Sequence, residues 1–193
     1  MVTKLEALNY RCLRHVYCDL GNFHVLVGPN ASGKSTFLDV MAFLSDLVES
    51  GPEVAAGNRS ADPADLLWFR HGDTFELAVE VAMPKRIRQS FTEAGYTTLR
   101  YEIAVDVSAS KDEINILSET LRLKADSGRK GPSGEQRSLF PAGIRPPDTI
   151  VSSRGRPGEK TTVSKAKGQN DNFHPEPRNG SNKDWSSSFQ LGP

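Results

Sequence analysis

The chain opens on Lys4-Leu5-Glu6-Ala7-Leu8-Asn9-Tyr10, a loosely alternating run that predicts a β-strand, and Val16-Tyr17-Cys18-Asp19-Leu20 predicts a second. Gly21-Asn22 then makes a turn, and Phe23-His24-Val25-Leu26-Val27 runs almost continuously apolar into Gly28. That is the pattern of a short, buried parallel strand feeding a glycine loop. After the loop, Phe37, Leu38, Met41, Ala42, Ser45 and Val48 recur at helical spacing, with Leu44 beside them and Asp39, Asp46 and Glu49 off the stripe. Ser50-Gly51-Pro52 supplies the stop, since glycine permits a left-handed cap and proline cannot continue the helix. A helix of four to five turns, about 17 residues, is expected.

Residues 51–74 read as loop, with a short helix at 63–68. Two period-2 strands follow. Phe75, Leu77, Val79 and Val81 face one way and Glu76 and Glu80 the other; Tyr101, Ile103, Val105 and Val107 likewise oppose Glu102 and Asp106. Such alternation predicts antiparallel strands with one wet face. Residues 113–124 read as a further strand, bent near Ser118.

Composition changes the picture from Asp126 onward. Of the 68 residues there, 9 are Gly and 8 are Pro, so no helix of normal length fits. Thr149–Ser153 and Thr161–Lys165 flank Arg154-Gly155-Arg156-Pro157-Gly158 and are expected to pair as a hairpin within 149–165; the remainder is polar enough to stay partly disordered. The division expected is therefore a lobe over 1–125 and a Gly/Pro-rich tail over 126–193. Charge follows the same division: 13 Lys and Arg against 17 Asp and Glu before residue 126, then 11 against 7. The tail's surplus is compatible with contact to DNA phosphates, but neither half carries the clustered basic face of a dedicated nucleic-acid binder. Cys12 and Cys18 read as small buried residues in a reducing, cytoplasmic compartment, as no signal peptide or membrane span is visible.

The chemistry lies in Gly28-Pro29-Asn30-Ala31-Ser32-Gly33-Lys34-Ser35-Thr36, which meets the pattern G-x-x-x-x-G-K-[ST]. Wrapping backbone N–H groups around a β-phosphate requires Gly28 and Gly33 where side chains collide or φ is forbidden. Lys34 brings a point charge to the β- and γ-phosphates, and the Ser35 hydroxyl is the expected Mg²⁺ ligand. The helix that starts near Gly33 adds its positive end. ATP and Mg²⁺ are the ligands this implies. Ala31 occupies a free position of the pattern and is tolerated provided its φ is negative.

Hydrolysis asks for more: an acidic residue for Mg²⁺ on a neighbouring strand and a group that activates water. Four apolar residues followed by Asp-Glu do not occur. Asp106 after Ile103-Ala104-Val105, and Glu80 after Leu77-Ala78-Val79, come nearest, but each belongs to a half-exposed alternating strand and reads as a surface residue. Pro132-Ser133-Gly134-Glu135-Gln136-Arg137 resembles the signature loop of ABC-type ATPases, but Pro141 and Gly143 break the helix such a loop must open, so it reads as loop.

The leading strand, the run Tyr10-Arg11-Cys12-Leu13, the glycine loop and the continuation Thr36-Phe37-Leu38-Asp39-Val40-Met41 together resemble the N-terminal lobe of RecF/SMC-like AAA-family ATPases, an ABC-type group that includes the ATPase halves of OLD-family nucleases. The resemblance covers residues 1 to about 125. It implies an α/β P-loop NTPase lobe of the ABC/SMC-head type, with a mixed sheet that contains antiparallel strands. In that family a C-terminal lobe brings the signature loop and acidic pair, and two heads close on two ATP molecules to clamp or remodel DNA. Arg11 falls where such proteins carry a basic residue after the first strand, a phosphate contact. On this reading the chain resembles an incomplete front part of a longer protein.

Three functions follow in order: an ATP-Mg²⁺-binding lobe of an ATPase in DNA repair, maintenance or phage defence, hydrolytic once a C-terminal lobe completes it; a non-hydrolysing or vestigial nucleotide-binding module; and a small P-loop kinase, disfavoured because no crossover helix separates the strands at Phe75 and Tyr101. His24 reads as a satisfied core residue, and Trp68, Phe69, Arg70 and His71 as a packed loop anchor or an adenine edge contact.

Overall fold

The structure, a computed structural model, describes residues 1–89, 95–108, 113–125, 138–140, 145–152, 155, 157–167 and 172–173. Its elements in chain order are β1 (Val2–Tyr10), β2 (Leu13–Asp19), α1 (Lys34–Ser50), α2 (Pro52–Gly57), single 3₁₀ turns at Pro63–Leu66 and Trp68–Arg70, β3 (Thr74–Ala82), α3 (Lys85–Arg88), β4 (Tyr96–Ser108), β5 (Glu113–Ala125), β6 (Glu159–Ala166) and β7 (Asn172–Phe173). The strands form one open sheet in the order β2-β1-β3-β4-β5-β6-β7. All its pairings are antiparallel, so among the described residues the sheet is not mixed.

One face of the sheet is apolar and carries the helices. Leu5, Ala7, Phe75, Leu77, Ile103 and Val105 meet Phe37, Val40, Phe43, Leu44 and Leu47 of α1 and Ala55 and Ala56 of α2. At its centre Tyr10, Phe43 and Phe75 contact one another edge-on or tilted, with centroids 5.2–5.7 Å apart, the geometry aromatic quadrupoles favour. Tyr10 reaches this side because Asn9 takes a left-handed φ of 56°. That residue breaks the alternation of β1, and Tyr10 and Leu13 join the core cluster while Leu8 is buried outside it.

The helix boundaries follow from local chemistry. α1 spans 17 residues and ends at Gly51, as its periodicity and the Gly-Pro stop require. Pro52 also starts a helix: it occupies the first turn of α2, where a missing N–H leaves nothing unsatisfied. A stop for one helix therefore nucleates the next, and 51–57 is not loop. In β5 the ladder shifts register between Ala104 and Val105 of its partner β4, placing a bulge beside Ser118, where the bend was expected.

Three expectations are overturned. Residues 20–27 form no strand, and Phe23, at 84% exposure, and Val27, at 71%, face outward. A short apolar run becomes a parallel strand only when neighbours bond both its edges, and no described strand lies there. His24 is exposed too, its Nε2 accepting the Gly21 N–H. Second, the buried side of α1 is the set Phe37, Val40, Phe43, Leu44 and Leu47, whereas Leu38 and Val48 from the expected stripe stand 62% and 69% exposed. α1 is apolar on two sides and uses one. Third, the Glu/Asp face of the sheet is not wet: Glu6, Glu80, Glu102, Asp106 and Arg122 are all buried.

That polar face is an ion-pair layer. Arg100 bonds Glu6, Glu80 and Glu102; Arg122 bonds Glu102; Lys124 bonds Glu80; Lys167 bonds Asp106. Residues 145–152 lie over it. Thr161–Lys165 belong to β6 and pair with β5, so the expected hairpin with Thr149–Ser153 is absent from the described residues, and the sheet continues past residue 125.

Burial alone raises the Glu80 carboxyl pKa, but the hydrogen bond from Lys124 and the charges of Lys124, Lys4 and Arg100 outweigh it and hold the group below its ordinary 4.5. A native pKa depressed in this way stabilises the fold fully above pH 4.5 and ceases to do so as pH falls through the native value. Glu80→Gln is therefore expected to flatten the acid limb of a stability–pH curve measured by urea denaturation; an unchanged limb contradicts the assignment. Phe43→Ala removes the centre of the aromatic cluster and is expected to lower unfolding free energy by about 3–5 kcal/mol in the same assay.

Candidate functional site

Residues 28–36 form a turned, solvent-facing loop that ends in the first turn of α1. Gly28 has a φ of 157°, which side chains rarely adopt, and a Cβ there would also crowd the Ser32 hydroxyl at 2.9 Å. Gly33 is required by conformation, with φ of 85°. Pro29 and Asn30 carry the exposed outer bend, closed by a Ser32 N–H to Pro29 carbonyl bond of 3.4 Å. Ala31 also adopts a left-handed φ of 61°. The negative φ expected there is not found, and alanine holds a conformation that disfavours any Cβ.

The helix start is prepared for an anion. No side chain caps α1 and no acidic residue occupies its first turn, so its N–H groups and the positive end of its dipole face the loop. The Lys34 ammonium folds back into the loop and donates to the Gly28 carbonyl at 2.8 Å, the Pro29 carbonyl at 2.6 Å and Ser32 Oγ at 3.2 Å. Ser35 is exposed on the first turn and Thr36 lies half-buried behind it. These residues fit a magnesium triphosphate: an uncapped helix start, the Lys34 ammonium and the exposed Ser35 hydroxyl stand on one open loop.

The β1–β2 turn backs this loop. Cys12, exposed rather than buried, places Sγ 3.2 Å from Thr36 Oγ1. Arg11, with φ of 51°, donates its backbone N–H to the Leu66 carbonyl and Nη1 to Asp39 Oδ2 at 3.3 Å. Asp39 is the residue that sequence reasoning passed over. It also accepts from Tyr10 at 2.6 Å and from Arg59 Nε at 2.9 Å. Burial, and then the bond to Asp39, push the Tyr10 hydroxyl far above its ordinary pKa, so it stays a donor. One signal for Asp39 was present: it lies one helical turn beyond Ser35, on the side of the turn that carries Arg11.

Other named residues lie elsewhere. Glu80 and Asp106 sit in the ion-pair layer of the opposite face, engaged with Lys124 and Lys167, and neither is the surface residue expected. Trp68 stacks under the Arg14 guanidinium at 4.8 Å and meets Phe69 edge-on at 5.0 Å, but it is only half-buried, and Phe69, at 73% exposure, Arg70 and His71 face solvent, so the packed loop anchor expected of these four is not formed. The signature-like 132–137 lies outside the described residues. Among the described residues no three His, Cys, Asp or Glu side chains group as a metal cluster, and no helix is long and apolar enough to cross a membrane.

A family model described as AAA ATPase domain matches residues 1–174 of the chain. No curated protein matches it.

Ala31→Gly removes the left-handed penalty at φ 61° and is expected to raise unfolding free energy by about 1 kcal/mol. Chemical denaturation checks this, and a destabilised variant argues that the loop is not held as described.

Proposed function

The chain belongs to the AAA ATPase domain family, and on that premise we propose that residues 28–36 bind ATP with Mg²⁺. The carrying observation is the open loop with left-handed Ala31 and Gly33 that delivers Lys34 and an uncapped helix start to one point. Backbone N–H groups from Gly28 to Gly33 take the phosphates, Lys34 leaves the loop carbonyls for them, Ser35 holds Mg²⁺ and Thr36 lies beside it. When bound, Mg²⁺ neutralises charge on the phosphates. Arg11, held by Asp39 beside the helix start, is a second cation for the same anion.

ATP hydrolysis by this site requires a second layer of polypeptide, a C-terminal lobe or a second head. Two observations support that reading. Phe23, Val25 and Val27 before the loop and Leu38 and Val48 on α1 expose apolar side chains, and large apolar residues left at the surface mark ground that another layer of polypeptide covers. Moreover, the acidic residues closest to the expected Mg²⁺ pattern, Glu80 and Asp106, are committed to ion pairs. The same commitment favours the second reading, a module that binds nucleotide without turning it over. The resemblance of Tyr10–Leu13 and of the loop to RecF/SMC-like proteins supports a role in DNA repair, maintenance or phage defence, with DNA as the remodelled partner and the cytoplasm as the compartment. The kinase reading has no support in a sheet whose strands follow one another antiparallel without crossover helices.

Lys34→Ala is expected to weaken ATP-Mg²⁺ binding at least tenfold in an equilibrium titration while leaving the fold intact, and Ser35→Ala to remove the Mg²⁺ dependence of affinity. Wild-type affinity in Lys34→Ala ends the proposal. Steady-state ATP turnover by the isolated chain decides against the non-hydrolysing reading.

A further inference from the structure

We propose that Phe69 is the platform on which the base of the nucleotide stacks, held in place by Trp68, Arg14 and Arg70. This rests on the reading of residues 28–36 as an ATP site and adds to it a residue that touches the base rather than the phosphates.

Phe69 is strained where it stands. Its backbone is left-handed, with φ 49° and ψ 30°, and Arg70 beside it is left-handed too, at φ 56°. Glycine takes that region freely, whereas a bulky side chain is an outlier there. Burial does not offset the strain, because Phe69 is 73% exposed. Folding alone therefore favours neither this backbone nor this side chain at the position, and strain of that kind collects where a ligand is held.

The neighbours keep the strained turn closed. Trp68 lies under the Arg14 guanidinium at 4.8 Å and meets the Phe69 ring edge-on, with centroids 5.0 Å apart. Arg70 is paired with Asp62 and, at 3.3 Å, with Asp65. The Arg70 N–H reaches the Leu67 carbonyl at 3.2 Å, and the His71 N–H reaches the Trp68 carbonyl at 3.0 Å. Phe69 is thus presented to solvent on a backbone tied on both sides of it.

The turn also lies beside the phosphate loop, because residues 10–14 contact both. Cys12 Sγ is 3.2 Å from Thr36 Oγ1, and a Cβ built on Gly33 would meet Leu13 at 3.3 Å. From the same short stretch, Arg11 donates its N–H to the Leu66 carbonyl at 2.8 Å, Tyr10 bridges Leu67 and Arg14 covers Trp68. A triphosphate at the head of α1 and the ring of Phe69 are then separated by one hairpin turn, which the ribose spans. Stacking needs only a π-face, and every nucleobase has one. Phe69 accordingly favours nucleotides over bare phosphate chains and does not choose among bases.

The test titrates the full chain by calorimetry with ATP-Mg²⁺ and with the magnesium complex of inorganic tripolyphosphate, which offers phosphates without a base. Phe69→Ala and Phe69→Gly are each expected to weaken ATP-Mg²⁺ binding about five- to 100-fold, the span of one base–aromatic stack, and to leave tripolyphosphate affinity at the wild-type value. Phe69→Tyr should retain ATP affinity. Phe69→Gly should also hold or raise the midpoint of urea unfolding, since glycine relieves the left-handed strain. A lowered midpoint overturns the inference, because it makes Phe69 a packing residue. If the wild type binds ATP and the two variants bind it as tightly, or lose ATP and tripolyphosphate alike, the platform inference falls and the site reading stands. A wild type that binds no ATP overturns both.

Discussion

Asp39 accepts three donors from three places: the Tyr10 hydroxyl at the end of β1, the Arg11 guanidinium in the turn that follows and Arg59 beyond α2. The phosphate loop has no regular structure of its own, so its position is whatever the flanking hairpin and α1 impose. The Asp39 carboxylate is where those two are tied. Arg59 extends the tie to Asp46 at 2.7 Å and to the Ala55 carbonyl at 2.6 Å, which fixes α2 against α1. A partly buried carboxylate left with no cation is costly, and Asp39 has two, Arg11 and Arg59, of which Arg59, its side chain 6% exposed, is the more deeply set.

Much of this was legible in the chain because the physics involved is local. The loop 28–36 is written in glycine positions that only a close approach or a left-handed φ explains. α1 is written in 3.6-residue spacing with a Gly-Pro stop, and β3 and β4 in strict alternation. What was not legible depends on which partner a pattern meets. Phe23–Val27 has the composition of a buried parallel strand, yet composition does not supply the neighbouring strands, and without them the segment forms no strand and all of it but Leu26 is exposed. The expected stripe Phe37-Leu38-Met41-Ala42-Ser45-Val48, with Leu44 beside it, shares Phe37 and Leu44 with the buried side but takes Leu38 and Val48 in place of Val40, Phe43 and Leu47. Only tertiary packing chooses between two apolar sides of one helix. Pro52 was read for what it stops and not for what it starts. Asp39 stands in the run that carries the resemblance, but nothing in its spacing ties it to Tyr10, Arg11 and Arg59 together.

The buried polar layer is the other place where a local rule failed for a physical reason. Glu76, Glu80, Glu102 and Asp106 alternate with apolar residues, and such alternation ordinarily marks a solvated face. Here Arg100, Arg122, Lys124 and the amides of residues 150–152 occupy the places of water. Replacing water by fixed donors gains little net stability, because each charge gives up hydration as it is paired. It does gain geometry. A guanidinium bonded to two carboxylates has few alternatives, and a segment held by its own N–H and carbonyl groups is placed to within a hydrogen-bond length whatever its side chains are. A layer of this kind costs about as much as it returns and still determines where residues 145–152 lie.

The two faces of α1 set the limit on what the lobe does by itself. Its inner face is closed by the sheet, and that closure, with the Asp39 tie, is enough to present Lys34 and Ser35 at the head of the helix. Its outer side, with Leu38 and Val48, is exposed. Binding a phosphate needs only donors and charge at one point, which the inner packing supplies. Activating water against that phosphate also needs an acidic group, and the acidic residues nearest the expected pattern, Glu80 and Asp106, are committed to ion pairs on the other face of the sheet. On the proposed reading, the inner packing of α1 accounts for binding alone, and the reacting group has to come from elsewhere.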